Sequence, residues 1–201
     1  MSVADSLFFL RSWLRNPRRV GAVAPSGQAL ARRITAEITP ASAPVIELGP
    51  GTGAFKQELL LRGVPPERLV LIEADRAFAR ALEARFPSLR VLAMDAARLG
   101  RIEPLFDGER AGAVVSGLPL LAIPPDQVDA IVAGAFEQLR DGGSFYQFTY
   151  GPRCPVPRAT LDRLDLVAER IGFAWLNIPP ASVYRIRRQG FTAPCLAGSL
   201  K

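Results

Sequence analysis

Apolar residues recur along the chain in two rhythms: short unbroken runs, and stripes spaced by three and four. The runs Val45–Leu48, Leu69–Ile72, Leu89–Met94, Ala113–Ser116 and Phe145–Tyr150 read as buried strands. Gly27–Ile38, Phe55–Leu61, Arg76–Phe86 and Gln127–Leu139 read as helices, with Pro87 stopping the third. Asp141-Gly142-Gly143 predicts the turn into Phe145. The Pro-rich stretch Gly151 to Pro157 predicts a loop, followed by a helix to about Ile171. Phe173–Ile178 and Val183–Arg187 read as two last strands, joined by a link short enough for an antiparallel hairpin. This alternation predicts an α/β fold on a mostly parallel sheet.

The first fifteen residues follow a different pattern. At 100° per residue Val3, Leu7, Leu10 and Leu14 share one helical face, flanked by Phe9 and Trp13. Arg11 and Arg15 lie on the other side, near Phe8, and Asn16-Pro17-Arg18-Arg19 breaks the helix. Phe8, Phe9 and Trp13 exceed what one core stripe needs, which suits a helix lying in a bilayer interface with Arg11, Arg15, Arg18 and Arg19 toward lipid phosphates. The competing reading packs the leucines on the domain itself. The segment is shorter than the roughly 20 apolar residues of a membrane span and lacks the cleavage site of a secretion signal.

Composition narrows the chemistry. The 201 residues are 49% hydrophobic, enough for one well-buried domain and against disorder. There is no histidine, which excludes a histidine base and any histidine metal ligand. Cys154 and Cys195 are far apart without a C-x-x-C partner and read as reduced structural thiols. Six arginines stand against one aspartate through Arg33, so nearly all of the net charge of +6 belongs to the N-terminal end. Such a patch favours an anionic partner, a phospholipid surface or a nucleic acid.

The chemistry itself is concentrated in Val45-Ile46-Glu47-Leu48-Gly49-Pro50-Gly51-Thr52-Gly53-Ala54-Phe55, a strand, a glycine turn and a helix start. Gly49, Gly51 and Gly53 permit a sharp turn and close approach of backbone N–H groups to a ligand. The spacing is G-x-G-x-G, not the G-x-G-x-x-G of dinucleotide dehydrogenases. The second strand ends in Glu73, placed to hold ribose hydroxyls, with Ala74 beside it. The third ends in Asp95-Ala96, suited to an adenine amino group. Glu47, Glu73 and Asp95 are thus delivered to one sheet edge by successive strands.

This set resembles the class I S-adenosylmethionine-dependent methyltransferases, a Rossmann-like fold with a seven-stranded sheet and a C-terminal antiparallel hairpin. The resemblance implies S-adenosyl-L-methionine as cofactor, with Ser26 in the segment closing over its methionine end or simply capping a helix. It implies residues 1–38 as membrane-binding, cofactor-covering helices and 39–201 as the methyltransferase domain, in one compact unit. Ser116-Gly117-Leu118-Pro119, after the fourth strand, faces the methyl group in that fold. Related adenine-N6 methyltransferases carry Asn/Asp-x-Pro-aromatic there, whereas Leu120 takes the aromatic's place here.

Ser116-Gly117-Leu118-Pro119, Gln147-Phe148-Thr149-Tyr150-Gly151-Pro152, Asn177-Ile178-Pro179-Pro180-Ala181-x-Val183-Tyr184, and Arg-Asn-Pro with Gly21-Ala22-Val23-Ala24-Pro25-Ser26 together resemble bacterial phospholipid N-methyltransferases. That likeness implies stepwise methylation of phosphatidylethanolamine toward phosphatidylcholine, peripherally on the inner face of the cytoplasmic membrane, with no metal and no nucleic-acid partner. Tyr146 and Tyr150, with Ser116, are the candidate catalytic residues. Leu118, Pro119, Arg153, Tyr184, Arg185 and Arg187 are candidates for holding the substrate, the arginines through its phosphate. For each tyrosine the competing reading is core packing, and for the arginines a solvated strand end. Two other functions compete: an RNA or DNA adenine methyltransferase, and a non-catalytic nucleoside-binding membrane protein.

Overall fold

The computed structural model describes residues 25–51, 53–175 and 180–190. Its strands are β1 (Val45–Leu48), β2 (Leu69–Glu73), β3 (Arg90–Ala93), β4 (Ala111–Ser116), β5 (Leu139–Thr149), β6 (Leu166–Ala174) and β7 (Ala181–Arg188). They make one sheet in the order β3-β2-β1-β4-β5-β7-β6. The first five run parallel, and β7 pairs antiparallel with both β5 and β6. The helices are α1 (Pro25–Ile34), α2 (Ala54–Leu61), α3 (Arg76–Arg85), α4 (Pro125–Gln138) and α5 (Arg158–Arg163).

Every residue of β1 is buried, because helices cover both faces of the sheet. Val45, Leu71 and Val115 pack with Leu30 and Ile34 of α1, Leu59 of α2 and Leu82 of α3. Ile46, Leu48 and Val114 pack on the other face with Ile131, Val132 and Phe136 of α4 and Leu161 of α5. Chain order along the sheet reverses between β1 and β4, which leaves a crevice at the carboxyl ends of those strands.

Two local expectations are corrected and a third is refined. The helix expected to run to about Ile171 stops at Arg163, and Leu166–Ala174 is the edge strand β6. Its pairing with β7 wins, since Leu166 opposes Arg188 and Ala174 opposes Ala181 along an almost continuous ladder. The last strand pair is therefore a hairpin as expected, with its first member displaced toward the N-terminus. Asp141-Gly142-Gly143 falls within the span of β5 and makes the expected change of direction as a bulge there: Gly142 has φ of 74°, and Leu139 and Ser144 pair with Ala111 and Ala113 of β4, two positions against five. Finally, α1 begins at Pro25, so Ser26 sits within its first turn rather than capping it. Phe8, Phe9, Arg11, Trp13, Arg15, Arg18, Arg19, Cys195, Asn177 and Ile178 lie outside the described residues, and so does the side chain of Ser26.

Candidate active site

The register brings the chain's acidic and glycine positions to one edge. Leu48 sits beside Ile72 on one side and Ser116 on the other, so Gly49, Glu73 and Gly117 all emerge together. Gly49 N–H donates to Ile72 O at 2.9 Å and Gly117 N–H to Leu48 O at 2.8 Å, carrying the sheet one step into both loops. Gly49, Gly51 and Gly53 hold φ of 62°, 46° and 90°, the left-handed region that side chains disfavour. Gly117 is required by proximity instead: a Cβ there would stand 2.6 Å from Gly49 O.

Glu73 leans onto this turn. Burial pushes its carboxyl above the usual range, opposed by backbone N–H groups of Asp75, Ala74 and Gly51. Asp75, two residues on, caps α3 through Ala77 and Phe78 N–H at 2.8 and 2.9 Å. Asp95 is exposed at the end of β3 and accepts from Ala97 N–H at 2.9 Å. Ala74 is exposed and Ala96 buried, both small enough to leave room beside these acids.

Glu47 and a residue sequence reasoning missed lie beneath the turn. Both Glu47 and Lys56 are fully buried, and among the described residues neither carboxylate oxygen nor the Lys56 Nζ has a hydrogen-bond partner. Burial raises Glu47 to about 8 while the Lys56 charge opposes it, and burial lowers Lys56. The Lys56 ammonium lies 4.2 Å from the Phe86 ring centroid and fills the space a Cβ on Gly53 would take. The sequence signal was Lys56 standing three residues before Leu59, on the apolar side of a short helix. A second missed residue is Gln147, fully buried in β5, whose Nε2 donates to Leu118 O at 2.9 Å and to Phe148 O at 2.8 Å. It fastens the loop after β4 to β5.

The substrate side departs further from expectation. Ser116 is fully buried, and its Oγ accepts from Leu118 N–H at 3.3 Å, so the hydroxyl shapes the Gly117-Leu118-Pro119 loop from below. Tyr146 points away from the edge: its hydroxyl donates to Glu37 Oε2 at 3.2 Å, and burial followed by the Glu37 charge pushes it up to about 12. Tyr184 donates to Pro152 O at 2.9 Å and pins the loop after β5. Arg185 pairs with Glu37 at 3.0 Å and Glu169 at 2.6 Å, and Arg187 with Glu169 at 3.4 Å. Those two guanidiniums are committed to internal carboxylates rather than offered to a phosphate.

Tyr150 does stand at the edge. Phe55, Phe148 and Tyr150 form a chain of edge-to-face rings, with centroids 6.0 and 5.4 Å apart, leading from the glycine turn to the end of β5. Pro119, Leu120, Leu121, Phe148, Thr149, Tyr150 and Pro155 line an apolar recess there. Leu118, just before Pro119, lies against Gly49, where a Cβ would meet Leu118 Cδ2 at 2.6 Å. Arg153 is exposed on the loop above, without an ion pair among the described residues. Among those residues no cluster of three potential ligands could hold a metal ion, and no helix is long and apolar enough to cross a membrane.

No protein-family model matches the sequence. An ornithine lipid N-methyltransferase from Singulisphaera acidiphila is 30% identical over 189 residues, 91% of this chain and 96% of that enzyme. The chain belongs to that enzyme's family, the class I S-adenosylmethionine-dependent methyltransferases. A ribosomal RNA small subunit methyltransferase A from Maridesulfovibrio salexigens is 41% identical over only 75 residues, 37% of this methyltransferase and 27% of that one. A glycopeptide N-methyltransferase solved with sinefungin matches the fold at a TM-score of 0.61 and 15% identity, over 82% of this chain and 95% of that one.

S-adenosyl-L-methionine is the methyl donor, and the residues present fit it. The three left-handed glycines form a cradle that a side chain would fill, Glu73 lies against that cradle, and the buried Glu47 supplies unpaired oxygens below it. Gly49, Gly51 and Gly53 would receive the methionine portion, Glu73 the ribose and Asp95 the adenine. When bound, the cofactor supplies a methyl group made electrophilic by its sulfonium.

Proposed function

We propose that this methyltransferase N-methylates the amine of a membrane aminolipid. Phosphatidylethanolamine and its mono- and dimethyl forms, toward phosphatidylcholine, are the substrates its motifs imply. The observation carrying the reading is the apolar recess beside the glycine turn, walled by Pro119, Leu121, Phe148 and Tyr150. Leu120, where a base-reading enzyme presents an aromatic, is 3% exposed and part of the core. Nothing at this position stacks on a purine. The relative named as an ornithine lipid N-methyltransferase supports a lipid amine and makes ornithine lipid the substrate to run beside phosphatidylethanolamine.

The reaction needs a neutral amine aligned with the methyl group, so positioning is the main contribution of the protein. A lipid amine resembles lysine, with a pKa near about 10, and an apolar recess lowers it by disfavouring the charged form. The amine lone pair forms the new N–C bond as the S–C bond breaks, and the nitrogen's proton passes to water or a carboxylate at the rim. Tyr150 presents a ring on which the methylated ammonium of the intermediates can rest. Arg153, exposed on the loop after β5, would pair with the headgroup anion.

The second reading, adenine methylation on RNA, draws on the short match to the ribosomal RNA enzyme, and buried Leu120 counts against it. Labelled methyl transfer into vesicles of phosphatidylethanolamine, vesicles of ornithine lipid and purified ribosomal RNA separates the outcomes. Label in either lipid supports the proposal. Label in RNA with none in lipid overturns it.

A further inference from the structure

The last cross-strand row at the carboxyl edge joins the recess to an aromatic pair. Thr149 of β5, a wall of the recess, opposes Ser182 of β7, which in turn opposes Phe173 of β6. Two strand spacings put Phe173 about 10 Å from Thr149, on the same face and the same edge. Two residues on, Trp175 projects beside it with ring centroids 4.2 Å apart, and Trp175 is 76% exposed. On the recess side Leu121 is 48% exposed. Large apolar side chains seldom stand out from a surface together without a partner.

The charges around this edge are basic. Arg170, three residues before Phe173, opposes Tyr184 and is exposed, while Arg153 lies on the loop that the Tyr184 hydroxyl pins. Neither has an ion pair among the described residues. Arg33 reaches over from α1 to donate to Ile171 O. Two carboxylates of this half, Glu37 and Glu169, are bound to Arg185 and Arg187. An amphipathic indole at the tip with guanidiniums behind it matches the boundary between acyl chains and phosphates.

We infer that Phe173 and Trp175 form a membrane-interface anchor that seats the rim of the recess against the bilayer, independently of residues 3–15. The inference rests on the aminolipid reading above. Its physical value follows from the substrate: a two-chain lipid leaves the bilayer only at the cost of exposing its methylenes to water. Seating the recess at headgroup level removes most of that cost.

The chain has two tryptophans, so Trp13→Phe leaves Trp175 as the sole indole. In that variant, vesicles of phosphatidylcholine with phosphatidylglycerol should shift the emission to the blue, and lipids brominated high on the acyl chain should quench it at least twofold. An unchanged, unquenched spectrum at saturating lipid overturns the anchor. Trp175→Ala should lower methyl transfer to vesicle lipid about tenfold at subsaturating vesicles. It should leave transfer to a short-chain phosphatidylethanolamine, dispersed as monomers, unchanged. Equal losses on both substrates would assign Trp175 to the site itself and overturn the inference. Failure of the unmutated enzyme on every lipid, monomeric or in vesicles, would instead remove the aminolipid reading.

Discussion

The two halves of the sheet use their polar residues in opposite ways. In β1, β2 and β3 each strand runs straight to the carboxyl edge and releases its glycine or carboxylate there, where the main local partners are backbone N–H groups. In β5, β7 and β6 the polar side chains mostly turn inward: Tyr146 to Glu37, Tyr184 to Pro152, and Arg185 to Glu37 and Glu169. The difference follows from connectivity. A parallel strand followed by a helix must leave the sheet at its carboxyl end, so the residue after it is exposed to a ligand. Here β7 returns antiparallel between β5 and β6, and the side chains reach Glu169 on β6, Glu37 in the turn after α1 and Pro152 in the loop after β5.

The sharpest test of that contrast is Gly53→Val. At φ of 90°, with its Cβ falling on the Lys56 ammonium, the substitution should abolish binding of S-adenosyl-L-methionine in calorimetry. Retained binding would show that the turn adapts and is no cradle. Glu73→Ala should weaken cofactor affinity by about tenfold to a hundredfold, the value of one or two hydrogen bonds to a charged group. Unchanged affinity would take Glu73 out of the site.

The other half should respond in stability rather than in binding. Tyr146→Phe removes one hydrogen bond to Glu37 and should cost about 1 kcal/mol in denaturant unfolding with turnover preserved. Tyr150→Ala, at the recess, should lower turnover on lipid several-fold and leave cofactor affinity alone. Were Tyr146→Phe inactive and Tyr150→Ala fully active, the assignment of the two tyrosines would be reversed.

A pH-dependent effect concerns Glu47. Its carboxyl is raised from 4.5 to about 8 in the folded chain, so it contributes most to stability at acid pH, and that contribution is lost as pH rises through about 8. Melting curves should therefore show the wild type losing ground to Glu47→Gln between pH 5 and pH 9. A difference that stays constant over this range would mean that the Lys56 charge keeps Glu47 ionised throughout.

Residues close together in the chain determined the cofactor end by themselves. Gly49, Gly51 and Gly53 lie within five positions, and Glu73 and Asp95 each close an apolar run, so strand, turn and acid were legible from order alone. The alternating pattern likewise carried the parallel core and the final hairpin. Lys56 was visible only as a charge on an apolar helical stripe, since its stacking on Phe86 joins parts of the chain that are distant in sequence. What only the tertiary structure decided is which groups are already taken. Tyr146 meets Glu37 across 109 positions, and Arg185 meets it across 148. A phenol or guanidinium on a strand reads the same in sequence whether it faces a substrate or an internal carboxylate. The same holds for Leu166–Ala174, whose strand form comes from the ladder offered by β7. Pairing of that kind depends on the partner's position in space, which local residue preference does not encode.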